Sequence, residues 1–255
     1  MKEFIKDNIK IGIYKDAVAL GKAAADFAAQ TLNDAIEQKG LANIILATGA
    51  SQFAFLEVFK KKEIAWDKVT VFHLDEYKGI SDQHPASFRK YLKERILDEV
   101  RPKKIHFLNG DAENISAEIE QYENLLKNHE IDIACIGIGE NGHIAFNDPP
   151  VANFNDPKLV KIVTLDEACR QQQLGEGWFP TLDDVPKEAL TLTVPAIMRS
   201  KVVSCVVPDQ RKAKAVHAAL FKTIDTACPA SILRKHANAH LLLDEAAASL
   251  LPQDS

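Results

Sequence analysis

Three short stretches of this chain collect residue types that can move protons or hold an anion. The densest is 137–150, Gly-Ile-Gly-Glu-Asn-Gly-His-Ile-Ala-Phe-Asn-Asp-Pro-Pro. Gly137, Gly139 and Gly142 are more glycines than a turn needs, and they let the backbone approach a ligand closely or take φ > 0. His143 with the nearby carboxylate of Asp148 is the pairing of a proton shuttle, in which the carboxylate fixes the tautomer and raises basicity. Asn141 adds an amide beside them. A second stretch, Asp75-Glu76-Tyr77, closes an apolar run. Neighbouring side chains on a strand point to opposite faces, so one carboxylate can face a cleft as a base while the other meets structure or solvent. The third stretch, Thr48-Gly49-Ala50-Ser51, leads straight into a helix, where free N–H groups attract phosphate. It is too short for a nucleotide-binding loop and lacks the lysine, so its anion would be a simple phosphoryl group. Each stretch has a bland reading as well: a glycine connector with an incidental histidine, an acidic strand end, a serine N-cap. No second histidine or cysteine stands at ligand spacing, so no metal site is expected.

Strand and helix patterns that could bring these stretches together alternate along the whole chain. Strands are expected at Ile9–Tyr14, 41–47, 69–74, 104–108, 131–138, 159–165, 189–194, 202–207 and 241–243. Helices are expected from Asp16 as N-cap through about 38, at 53–59, from Pro85 through 97, at 112–129 and 212–221, and in the alanine-rich terminus. The segment between 165 and 186 shows no regular pattern. Such alternation means βαβ units, and so an α/β, Rossmann-like fold: a mostly parallel sheet with helices on both faces, read as a single domain. In a parallel sheet the loops after the strands share one edge, which makes the three stretches neighbours. An anion cradle, a carboxylate base and a histidine–carboxylate pair on one edge suit proton transfer on a small phosphorylated molecule.

Composition narrows the partners. The chain has 255 residues, 46% apolar and 26% charged, with a formal net charge of −5 and no basic block, so a nucleic-acid partner is not expected. No apolar run approaches a membrane span, and the first residues lack a signal peptide's apolar stretch. Four cysteines are scattered, Cys135 and Cys205 inside strand patterns, which suits a reducing, cytoplasmic setting. A homo-oligomer is allowed but not required.

Two long runs carry a family resemblance. Phe72-His73-Leu74-Asp75-Glu76-Tyr77-Lys78-Gly79, followed by His84-Pro85-Ala86-Ser87-Phe88, resembles the base-bearing segment of glucosamine-6-phosphate deaminases. The stretch 137–149 resembles their ring-opening loop. Leu108-Asn109-Gly110 and 185–191 match as well, so the similarity extends from about residue 9 to 250. The resemblance implies a Rossmann-like α/β fold, no cofactor, and conversion of a 2-amino-2-deoxyhexose 6-phosphate and water to a ketohexose 6-phosphate and ammonia. By position, Asp75 would move a proton between C2 and C1. His143 would open the sugar ring, with Asn141 and Asp148 beside it. Thr48, Gly49, Ala50 and Ser51 would hold the phosphate, assisted by Lys212.

The chain departs from that pattern in several places. Ala50 and Gln52 stand where the family usually has a glycine and a proline, and position 141 is asparagine. The segment 173–179 lacks the family's phosphate-binding arginine, with Arg170 as the nearest replacement. Asp148 is one methylene shorter than the family's glutamate, so either the loop moves inward or a water fills the gap to His143. Such a change would favour another epimer, galactosamine 6-phosphate first, against the simpler expectation of unchanged specificity. Only Lys161 matches a basic position of the family's allosteric pocket, Val163 taking the other, so activation by N-acetylglucosamine 6-phosphate is not expected. Competing readings are a 6-phosphogluconolactonase, which shares the fold and a Gly-x-Gly-x-x-Gly-His loop, and a sugar-phosphate-binding regulator without catalysis.

Overall fold

The strands of this protein carry apolar residues on both faces, which obliges helices to cover both sides of the sheet they form. The structure, a computed structural model, describes residues 2–252. Its main sheet has eight strands in the order β1-β2-β11-β10-β7-β3-β4-β6. They are β1 (Lys2–Lys6), β2 (Ile9–Tyr14), β3 (Ala42–Leu46), β4 (Val69–His73), β6 (Lys104–His106), β7 (Ile133–Ile136), β10 (Val202–Val207) and β11 (Ala239–Asp244). Only β1 runs antiparallel to its neighbour. A second, antiparallel sheet of three strands has the order β5-β9-β8, with β5 (Asp75–Tyr77), β8 (Val160–Thr164) and β9 (Glu188–Leu192).

Alternation along the strands divides the core into two layers. Ile44, Leu46, Ile133 and Cys135 pack with α1 (Ala17–Lys39), α2 (Phe53–Phe59) and α3 (Phe88–Leu92). From α3 the chain continues through a π-turn, Lys93–Leu97, into the short α4 (Asp98–Val100). Ile45, Ala134, Ile136 and Cys205 face the other way, toward α5 (Ile115–Asn128), α7 (Val194–Met198) and α8 (Ala213–Phe221). Each large side chain buried in these layers contributes roughly 1.5–3 kcal/mol. Asp16 caps α1 by accepting from Ala19 N–H at 2.8 Å. Gly21 of α1 lies so close to α2 that an added Cβ would sit 2.5 Å from the Ala54 carbonyl carbon. That close crossing holds α2, and with it the loop 47–51, against the sheet edge.

Several expectations are corrected here. The segment Asp75–Tyr77 is not the loop after β4 but a strand pairing with β9. The irregular segment contains α6 (Glu167–Gly175), whose start is capped by the Asp166 side chain. The third helix begins at Phe88 with Ser87 as cap, not at Pro85. The edge strand β1 went unread because Lys-Glu-Phe-Ile-Lys has little apolar signal; a two-residue hairpin with Asp7 at φ 52° ties it to β2. After β11 the alanines form turns rather than a helix. Asp244 accepts from the Ala247 N–H through its carboxylate at 2.7 Å and from the Ala248 N–H through its carbonyl at 3.0 Å, and the turns so started run into Pro252.

Candidate active site

The strand order reverses between β3 and β7: the chain runs from β3 outward to β4 and β6, then returns to β7 on the other side of β3. Open α/β sheets bind ligands where loops diverge at such a switch point. A cavity lies there, and Asp75, His143, Lys212 and Thr48–Ser51 all contribute to its lining. Fold topology therefore unites the three stretches.

Asp75 and Glu76 separate as strand geometry demands. Asp75 faces the cavity while 6% exposed, and burial, followed by the charge of Glu76, holds its carboxyl well above the ordinary range. A carboxylate so placed is a strong proton acceptor. Glu76 points the other way and is fully buried. It accepts from Ser87 Oγ at 2.8 Å, from the N–H groups of Phe88 and Arg89, and from Arg89 Nε at 3.1 Å. Burial pushes the Glu76 carboxyl up despite those donors. It anchors the start of α3 and so the strand that presents Asp75.

His143 sits in the turn after β7. Its imidazole rests on Gly139, where an added Cβ would lie 2.1–2.4 Å from three ring atoms. Only glycine leaves room for the ring. Nδ1 lies 2.8 Å from Asp148 Oδ1, so neither a gap nor a bridging water separates the shortened carboxylate from the histidine. The pair is close without the alignment of a straight N–H···O bond, and both Nδ1 and Asp148 Oδ2 are buried without a hydrogen-bond partner. Asn141 braces the pair: its Nδ2 donates to Asp148 Oδ1 at 2.9 Å and its Oδ1 accepts from the His143 N–H at 3.0 Å. Burial pushes the Asp148 carboxyl up, but the His143 and Asn141 contacts outweigh it and leave the group below the ordinary range. Ala145, also on the lining, holds a left-handed φ of 50°, a strained setting for a residue with a Cβ.

At the opposite end, the loop 48–51 enters a 3-10 turn, Ala50–Gln52, before α2. Gly49 takes φ 94°, and its carbonyl accepts from Tyr91 O–H at 2.9 Å. Among the described residues, the N–H groups of Thr48 and Gly49 have no backbone acceptor. Lys212 is 5% exposed and its ammonium is pulled below the usual lysine range by burial, with Glu176 and Glu140 opposing. Arg170 is not brought to the cavity. Its guanidinium donates to the carbonyls of Leu182 and Val185 and fastens the loop before β9.

Helix α6 and its C-cap, Glu176, add residues that sequence reasoning missed. Gln172, Gln173 and Glu176 reach the lining. Gln173 accepts from Tyr77 O–H at 2.7 Å, and Glu176 is held by Gln172 Nε2 at 2.9 Å and Trp178 Nε1 at 3.1 Å. The available signal was Asp166, an N-cap type followed by a run free of proline. The fold also gathers His143, Asp148 and Cys169, with potential ligand atoms within 4.8 Å of one another, a grouping that sequence spacing hid.

The chain has relatives among known proteins. A model of the glucosamine-6-phosphate isomerases/6-phosphogluconolactonase family matches residues 15–242. A glucosamine-6-phosphate deaminase of Exiguobacterium sibiricum is 38% identical over 210 residues, covering 82% of this chain and 81% of the relative. One of Streptococcus pyogenes is 34% identical over 243 residues, covering 95% of this chain and 100% of the relative. The solved structure of a monomeric glucosamine-6-phosphate deaminase superposes with a TM-score of 0.85 at 31% identity, covering 94% of this chain and 99% of that one. A 6-phosphogluconolactonase from Shewanella baltica shares the fold, with a TM-score of 0.78 at 18% identity, covering 94% and 98% of the two chains.

Proposed function

Because the chain belongs to the family of glucosamine-6-phosphate isomerases and 6-phosphogluconolactonases, we propose that it deaminates a 2-amino-2-deoxyhexose 6-phosphate to a ketohexose 6-phosphate and ammonia. The observation that carries this reading is one cavity lined by a buried carboxylate, a carboxylate-backed histidine and a lysine-flanked loop. His143 passes a proton to the ring oxygen as the C1 hydroxyl loses its own, which opens the sugar to an aldehyde. Asp75 then takes the C2 proton while the C1 oxygen gains one, and returns its proton to C1 as the amine gives one up, leaving a C1 hydroxymethyl group and an imine at C2 that water hydrolyses to the ketone and ammonia. The substrate's own C1 aldehyde accepts the electron pair left at C2 and its amine then drives reprotonation at C1, so the scheme calls for no cofactor. Thr48–Ser51 and Lys212 hold the phosphate, with Asn141 and Asp148 orienting His143; Arg170 has no part.

A base at Asp75 favours deamination over lactone hydrolysis and over a regulator, since binding alone needs no proton acceptor. Among the described residues no helix is long and apolar enough to cross a membrane, and the four cysteines are free and buried, which supports a cytoplasmic setting. The test is ammonia release from glucosamine and galactosamine 6-phosphates, with hydrolysis of 6-phosphogluconolactone measured beside it. Turnover of an amino sugar that falls about 10²–10⁴-fold in Asp75→Asn is the expected result. Lactone hydrolysis without ammonia release overturns the proposal.

A further inference from the structure

We propose that His143 Nδ1, Asp148 and the Cys169 sulfur form a site for a thiophilic divalent cation, Zn²⁺ foremost, whose binding arrests the histidine–carboxylate relay. The ligand atoms lie within 4.8 Å of one another, and the three residues are 8%, 0% and 1% exposed. Two of the atoms available to an ion, Nδ1 and Asp148 Oδ2, are buried without an aligned hydrogen bond, Nδ1 standing 2.8 Å from Oδ1 and the Cys169 thiol meeting the same carboxylate. The imidazole nitrogen, the carboxylate and the thiol are buried with chiefly one another as partners, and a shared cation can replace those poorly aligned contacts with bonds to all three. Cys169 is aimed there by the capping of α6: Asp166 accepts from the Cys169 N–H at 2.6 Å and from Asn141 Nδ2 at 3.3 Å. The start of α6 is thereby tied to the loop that carries His143.

One nitrogen, one carboxylate oxygen and one sulfur make a donor set for Zn²⁺ or Co²⁺ and a poor one for Mg²⁺ or Ca²⁺. Around a tetrahedral ion with bonds of about 2.0–2.3 Å, ligand atoms stand roughly 3.3–3.7 Å apart. The present Nδ1–Oδ1 separation of 2.8 Å must therefore open by about half an ångström, within the reach of side-chain torsions. Three protein ligands leave a fourth position for water. The ion replaces the thiol proton, which leaves to solvent, so binding tightens as pH rises. Once bound, it occupies the Nδ1 lone pair and the carboxylate that support proton transfer at the other ring nitrogen. The cation is an inhibitor, and the deaminase scheme stays free of metal.

Titration of chelator-treated, full-length protein with Co²⁺ tests the site without reference to any activity. One equivalent should bind with a near-ultraviolet thiolate-to-cobalt band that Zn²⁺ abolishes. Cys169→Ser and Cys169→Ala should lose the band, while Cys228→Ser keeps it. X-ray absorption of the Zn²⁺-loaded wild type should show one sulfur among nitrogen and oxygen neighbours, a readout that needs no variant to fold. A band retained by both Cys169 variants, or a zinc shell without sulfur, overturns the proposal. The inhibitory part rests on the deaminase reading: equimolar Zn²⁺ should slow ammonia release at least tenfold, reversibly by chelation, and much less in Cys169→Ser relative to its own metal-free rate. Unchanged turnover of an active, Zn²⁺-loaded enzyme refutes arrest. Absence of deaminase activity leaves the spectroscopic result to decide the site.

Discussion

Replacing Gly139 by alanine should displace the His143 imidazole, to which the proposed reaction gives ring opening, while leaving the fold in place. The new Cβ would lie 2.1 Å from His143 Cε1, 2.2 Å from Nε2 and 2.4 Å from Nδ1. Unstrained carbon contacts need about 3.5–4.0 Å, so the ring must retreat by roughly 1.4 Å or more. The retreat cannot be shared by the backbone, because the Gly139 N–H bonds the His143 carbonyl at 2.9 Å and the Gly142 N–H bonds the Gly139 carbonyl at 3.0 Å. Displacement of a reacting group by about 1 Å costs on the order of 10²-fold in rate. The expected outcome is a fall in kcat of about 10²-fold or more with KM little changed, because the phosphate end of the cavity is untouched. Overpacking should lower stability by about 1–3 kcal/mol. Steady-state ammonia release with glucosamine 6-phosphate, paired with thermal unfolding, measures both. Gly175→Ala, with open space around its added Cβ, is the control and should keep its rate. If Gly139→Ala turns over within about threefold of wild type while folded, either His143 takes no part or the ring moves freely, and the reasoning fails.

Three further outcomes follow from buried charge. Asp75→Asn should raise the melting temperature more at pH 8 than at pH 4. The folded carboxyl's raised pKa makes its ionisation a cost that is absent below the unfolded value and complete above the folded one, and equal gains at both pH values would contradict this. His73 is fully buried and, through burial and then Arg89, its imidazole is lowered to about 3. Its contribution to stability is full above the unfolded value near 6.5 and is lost as pH falls below it, about 2 kcal/mol by pH 5. His73→Asn should therefore shrink the drop in melting temperature between pH 7.5 and 5 by roughly 4–8 °C, and an unchanged drop would exclude His73 as its source. Asp148→Glu should lengthen the carboxylate that now meets Nδ1 off the bonding line. If the shorter residue sets epimer choice, the galacto-to-gluco ratio of kcat/KM should move toward gluco in the variant, whereas an unchanged ratio assigns selectivity elsewhere.

Local chemistry made much of this protein legible from its residues. Apolar runs alternating with capped helices announce a parallel sheet, since period and capping act within a few residues of each other. The Gly-rich turn with His143, and the opposed directions of Asp75 and Glu76, follow from glycine's freedom and the two-residue period of a strand. What the sequence could not carry is distance between segments far apart in the chain. Arg170 is a cation near the expected place, yet carbonyls of Leu182 and Val185 claim it. Lys161 looks free in sequence, yet Val151 O and Asp156 hold its ammonium at 2.7 and 3.0 Å. Cys169 lies on, and Glu176 caps, a helix with few apolar residues, so no periodicity betrayed it, and only packing turns one toward Asp148 and the other toward the cavity. A missing methylene at Asp148 left two outcomes open, an inward loop or a bridging water, and the direct contact of carboxylate and ring at 2.8 Å leaves no room for the water. Residue type decides which groups can do chemistry; contact distance, desolvation and competing partners, which decide whether they do, exist only once the chain has folded.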